Sequence, residues 1–164
     1  MNGQTLTHPF PPVADGNCTT LILGSFPSVR SRQEGFFYGH PRNRFWKTLA
    51  CVYGAQTPMT VPEKKAFLLS RHIALWDAAA ACTIEGSSDA SIRAAVPTDL
   101  TPLLETNPIR RVFCNGTTAG KLFLKFHPDF PLPVTVLPST SPANAAWTQE
   151  KLNDAWMIIK SSSS

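Results

Sequence analysis

The sequence predicts an α/β protein, a three-layer α/β/α sandwich built on a four-stranded parallel sheet. Three observations carry this. Four short apolar runs, Thr19 to Gly24, His72 to Asp77, Arg111 to Cys114 and Val134 to Leu137, are separated by segments with helical spacing. The first run is continuously apolar, as a strand covered on both faces must be. Caps and breakers mark the ends of the helical segments between them.

Taken in order, residues 1–18 hold Pro9, Pro11, Pro12 and Gly16 and predict an extended N-terminal arm. Residues 19–160 then form one domain. The strand from Thr19 stops at Gly24, and Pro27 prevents its continuing in a ladder. A helix opens near Arg42, behind Pro41, and places Phe45, Trp46, Leu49, Ala50 and Tyr53 on one side. Gly54 suits its C′ position. Thr60-Val61-Pro62-Glu63 has capping-box spacing and opens a second helix to about Arg71. Residues 78–81 and 86–97 predict a loop with short helical pieces. Asp99 to Thr106 is a short helix ended by Asn107-Pro108. From Gly116 to His127 a helix aligns Ala119, Leu122, Phe123 and Phe126 in a stripe. Pro131 and Pro133 lead into the last strand. The final helix starts near Thr148, with Trp147 and Leu152 spaced as a hydrophobic staple. Its buried face is Leu152, Ala155, Trp156 and Ile159, and 161–164 is a frayed tail.

The 164 residues suffice for one domain with a true core. A chain that is 43% hydrophobic and 16% charged is globular rather than disordered. No apolar run approaches the ~20 residues that span a bilayer, and no basic segment with a hydrophobic stretch opens the chain. A cytoplasmic location is expected, nucleoid-associated in a bacterium, with no membrane partner and a monomeric state. The cysteines at 18, 51, 82 and 114 form no Cys-x-x-Cys pair, so buried reduced thiols are expected rather than a metal site, and no cofactor.

Net charge is +4, a mild bias toward polyanions. Its distribution is more telling. Five of the 15 Lys and Arg residues, Arg30, Arg32, Arg42, Arg44 and Lys47, fall within residues 30–47. They interleave with Phe36, Phe37 and Tyr38. Clustered cations beside aromatics suit a nucleic-acid backbone and a stacked base; a solvated loop and helix face is the plain alternative. Two further segments, Asn115-Gly116 and Pro138 to Asn144, also follow strands. In a parallel sheet all carboxyl ends share an edge, so the three segments are expected to converge on one cleft. Asn115 has the carboxamide that pairs with a lactam edge, and Gly116 permits close approach of a ligand. A turn asparagine is the alternative reading.

Gly24-Ser25-Phe26-Pro27-Ser28, followed by Tyr38-Gly39-His40-Pro41-Arg42-Asn43-Arg44-Phe45-Trp46, resembles the first motif region of the uracil-DNA glycosylase superfamily. The His-Pro-x-Asn-Arg-Phe-Trp part is similar to the mismatch-specific uracil/thymine branch. Phe26, with the later segments Leu75-Trp76-Asp77, Gly86-Ser87 to Pro97, Asn115-Gly116 and Leu137 to Asn144, resembles the hypoxanthine (deoxyinosine) DNA glycosylases. The likeness spans roughly residues 19 to 160, and the family fold agrees with the strand count.

The resemblance implies a monofunctional glycosylase acting on DNA with a deaminated base, hypoxanthine first, uracil second and xanthine as a further candidate. Such an enzyme turns the nucleotide out of the duplex and hydrolyses its N-glycosidic bond. It implies a catalytic group of Asn43, Ser25 and Phe26, with Asn43 positioning water; helix N-terminal hydrogen bonding is that residue's structural alternative. Phe26 stands where other branches place Asp or Asn. Base contacts fall to Tyr38 as the stacking ring, Phe37 as an alternative, Asn115 and His40, which could equally cap its turn. Phosphate contacts fall to Ser28, Arg30, Arg42, Arg44, Ser139, Ser141 and Asn144. The apolar wedge of the second motif is missing, since Ala143, Asn144 and Ala145 are small. Alternatives are a mismatch-specific uracil-DNA glycosylase, a lesion-binding module without chemistry, and a nucleoside hydrolase.

Overall fold

The computed structural model describes residues 4–8, 10–26, 35–84 and 92–161. Its centre is a parallel sheet of β2 (Thr20–Gly24), β3 (Ile73–Asp77), β6 (Arg111–Asn115) and β7 (Val134–Leu137), in the spatial order β3-β2-β6-β7. The helices are α1 (Phe45–Val52), α2 (Val61–Leu69), α3 (Thr101–Thr106), α4 (Thr117–Phe126), α5 (Gln149–Trp156) and α6 (Ile158–Ser161).

Side-chain alternation divides the core into two layers. Ile22, Ile73, Leu75 and Phe113 join Phe45, Leu49, Leu68, Leu152 and Trp156 on one face. Leu21, Leu23, Ala74, Val112 and Cys114 join Leu103, Ala119 and Phe123 on the other. Successive residues of a strand point to opposite faces, and both faces are covered, so β2 is apolar throughout. The α/β/α sandwich with its four-stranded parallel sheet is therefore observed.

Local signals set several helix ends. The Thr60 hydroxyl accepts from the Glu63 N–H, while the Glu63 carboxylate accepts from the Thr60 N–H at 3.0 Å. Those bonds hold the Glu63 carboxyl below its ordinary range. Thr148 caps α5 through the Lys151 N–H at 3.2 Å. The first helix starts later than expected, at Phe45, because 40–43 form a turn closed by the Asn43 N–H on the His40 carbonyl.

Two expectations are corrected. Residues 79–84 and 92–97 form a pair of antiparallel strands, β4 (Ala79–Ile84) and β5 (Ile92–Pro97), where a loop with helical pieces was expected over 78–81 and 86–97; the part of that stretch from 86 to 91 lies outside the described residues. The alanines favour a helix by propensity, but strand partners on both sides override it. One partner is β1 (Gln4–Thr7), so the N-terminal arm is built into a second sheet, in the order β1-β4-β5. Farther along the arm, Val13 and Leu75 form a bridge at the edge of β3. Cys18 and Cys114 are buried, whereas Cys51 is exposed, against the expectation of burial. Among the described residues no helix is long and apolar enough to cross a membrane.

Candidate active site

The parallel sheet brings the carboxyl ends of β2, β3, β6 and β7 to one edge, where Gly24 lies beside Asp77 and Asn115 beside Leu137. Two buried indoles fasten the loops that leave it. Trp46 donates from Nε1 to the Phe37 carbonyl at 3.2 Å, and Trp156 donates to the Pro138 carbonyl at 3.0 Å. Glycine is required at two points. A Cβ on Gly24 would run into the Asp77 carboxylate and, at 2.8 Å, the Tyr38 hydroxyl. At Gly116 the backbone has φ +97°, and a Cβ would stand 2.9 Å from the Ser139 Cβ. Gly116 thus admits a neighbouring loop, where a ligand was expected.

The three strand-end segments meet at Thr140, which is completely buried. Its hydroxyl donates to Asn43 Oδ1 at 2.8 Å and accepts from Asn115 Nδ2 at 2.9 Å. Its N–H donates to Asn115 Oδ1 at 3.0 Å. Its carbonyl accepts from the Arg44 N–H at 3.0 Å. Thr140 was not singled out from the sequence, although it lies inside a segment that was. The missed signal is a β-branched hydroxyl between two serines whose hydroxyls were read as phosphate contacts.

Asn43 has both lone pairs of its carbonyl oxygen engaged, by Thr140 and by the Phe45 N–H at 3.0 Å. Its polar outlet is the amide N–H₂. Asn115 turns the edge that would read a lactam, one N–H and the adjacent oxygen, onto Thr140. The expected base contact therefore meets an occupied carboxamide. Tyr38 stacks on Phe45 with centroids 4.1 Å apart and planes 21° apart, and its φ is +53°. Phe37 is 2% exposed and packs on Phe10, Phe36 and Trp76, so it belongs to the core and is corrected as a base contact. His40 Nδ1 accepts from the Arg42 N–H at 3.0 Å, which closes a turn.

Ser25 and Phe26 are buried at the end of β2. Phe26 brings no polar group, and its ring lies 5.8 Å from that of His8. Of the expected phosphate contacts, Ser28 and Arg30 lie outside the described residues. Arg42 is exposed. Arg44 is corrected: its guanidinium holds the carbonyls of Trp147, Asn144 (3.2 Å) and Ser141 (3.4 Å), so it clamps the second loop. Ser139 and Ser141 each accept from a backbone N–H two residues on, which leaves the hydroxyl protons as donors. Asn144 commits an amide N–H to the Ser139 carbonyl at 3.0 Å.

A buried acid also stands at this edge. Asp77 Oδ2 is 2.7 Å from His8 Nε2, and His8 Nδ1 donates to the Phe10 carbonyl at 2.8 Å. A single proton therefore occupies the gap between Nε2 and the carboxyl. Burial pushes the Asp77 carboxyl up from its ordinary value, opposed by the hydrogen bonds from His8 and the Gly24 backbone.

A doubly covered parallel sheet with amides, hydroxyls and a backed aromatic ring at its carboxyl edge is the architecture of an α/β enzyme with a strand-end site. Residues 11–160 match the model of the uracil DNA glycosylase superfamily. The chain belongs to that superfamily, whose members hydrolyse N-glycosyl bonds in DNA. It is 35% identical over 152 residues to a protein of Methanosarcina acetivorans named hypoxanthine DNA glycosylase, covering 92% of this chain and 95% of the relative. A protein of the same name from Methanosarcina barkeri is 34% identical over 114 residues, covering 68% of this chain and 72% of the relative. A solution NMR structure from M. acetivorans, provisionally named a uracil DNA glycosylase, superposes with a TM-score of 0.79 at 30% identity. That likeness covers 96% of this chain and 99% of the other.

Proposed function

We propose that this chain is a monofunctional DNA glycosylase that removes hypoxanthine from a nucleotide turned out of the duplex and leaves an abasic site. Uracil and xanthine follow as weaker substrates. The observation that carries the reading is the direct hydrogen bonding of Asn43, Asn115 and Thr140, three residues from segments far apart in the chain. The names of the two Methanosarcina relatives support the choice of base.

Bond cleavage passes through an oxocarbenium-like sugar, which needs an oriented water more than a deprotonated one. Asn43 suits that task as a donor. Its N–H₂ holds the water oxygen while its carbonyl is fixed by Phe45 and Thr140. Tyr38, backed by Phe45, offers a ring for the everted base. Arg42 and the hydroxyl protons of Ser139 and Ser141 suit phosphates on either side. The Asn115 carboxamide, bonded along its reading edge to Thr140, supports the second loop around this site.

The test is incubation with duplexes carrying one deoxyinosine, deoxyuridine or deoxyxanthosine, followed by alkali to cut abasic sites. Strand scission at deoxyinosine is expected to be fastest. Folded protein that cuts none of the three overturns the reading, and release of base from free inosine alone would replace it with a nucleoside hydrolase.

A further inference from the structure

We infer that Thr140 is a positioning residue for base excision, acting by fixing which end of the Asn43 carboxamide faces the cleft. The inference rests on the glycosylase reading above and names a determinant which that reading lacks.

An isolated carboxamide can exchange its oxygen and nitrogen ends by rotation at little cost. Asn43 cannot do so here. Its oxygen lies between two donors, the Phe45 N–H at 3.0 Å and the Thr140 hydroxyl at 2.8 Å. Rotation would set N–H₂ against both. The direction of the Thr140 hydroxyl is determined in turn. Asn115 Nδ2 donates to its oxygen at 2.9 Å, so its proton is left to point at Asn43. A β-branched side chain is stiff at χ1, and backbone bonds at 3.0 Å from Arg44 and to Asn115 hold this one at both its carbonyl and its N–H. Every polar atom of Thr140 thus orients another motif residue. Burial makes each bond costly to leave unmade.

The experiment compares Thr140→Val and Thr140→Ser in the full chain, by single-turnover excision from a deoxyinosine duplex and by duplex affinity. Valine keeps the shape and removes the hydroxyl. Its maximal rate should fall about tenfold to a hundredfold, the scale of a buried polar group losing its partner, with affinity changed by less than about threefold. Serine should restore most of the rate. In an Asn43→Ala background, Thr140→Val should add little, because both act through one group.

An active wild type whose Thr140→Val variant cuts at the same rate overturns the inference alone. So does a loss confined to affinity. A serine variant as impaired as valine also overturns it, and that comparison holds even if valine unfolds the loop. A wild type inert on every deaminated duplex overturns the glycosylase reading and this inference with it.

Discussion

Phe37 and Tyr38 are adjacent and take opposite roles. Phe37 is core, whereas Tyr38 adopts φ +53° and lays its ring on Phe45. Its left-handed backbone breaks the pattern a reader would extrapolate from Phe36 and Phe37, and that conformation is uncommon for a bulky residue. This is why the sequence showed three aromatics in a basic loop but not which of them departs from the core packing of its neighbours. Phe37→Ala should cost about 3–5 kcal/mol of stability, read as a lower urea midpoint, with excision per folded molecule largely kept. Asn43→Ala should act in the opposite sense. Excision should fall at least about a hundredfold, the scale of a removed transition-state donor, while gel-shift affinity stays near wild type; melting temperature should drop modestly, because the Thr140 hydroxyl and the Phe45 N–H lose their acceptor. The thiols divide as sharply. Burial pushes the Cys114 thiol up to about 12, and Cys18 is raised by the same cause. Iodoacetamide on the native protein should therefore label Cys51 well before Cys18 or Cys114, as peptide mass mapping would show.

At the scale of elements, the four parallel strands were legible because burial on both faces leaves long apolar runs between helical periods. The capping box before α2 was legible for a similarly local reason. The strands β4 and β5 were not, because an alanine run records no partner, and their pairing with β1 is a long-range fact. The strand-end loops fall between these cases. Their positions could be read from the sequence, but their mutual hydrogen bonds could not. Asn115 and Arg44 look like groups that address a ligand, and both serve to hold the second loop. Gly116 is the point where two of these loops touch. Gly116→Ala places a Cβ against Ser139 and holds alanine at φ +97°, a strain of order 1–3 kcal/mol. Melting temperature and excision rate should both drop, and a variant matching wild type in both would mean the contact is slack.

Across the whole molecule, the His8–Asp77 pair ties the N-terminal arm to the end of β3. Aromatic rings enclose it, with Trp76 centred 4.3 Å from His8 and Phe10 at 4.7 Å. Burial favours the protonated form of the Asp77 carboxyl, so the folded protein keeps that proton to higher pH than the unfolded chain does. Stability from this group is therefore full below the ordinary carboxylate value and declines as pH rises through the raised one. Asp77→Asn, whose amide can still donate to His8 Nε2, should remove that decline. Urea unfolding from mildly acidic pH to neutrality would show it as a flatter curve than wild type.

The placement of β1 also has a consequence for biosynthesis. Gln4 pairs with Ile84, and Thr7 with Ala81, so during synthesis β1 must wait for some seventy further residues before it finds this neighbour. Nascent chains halted before β4 should leave β1 open to protease, and the tunnel exit must release β4 before the second sheet can form.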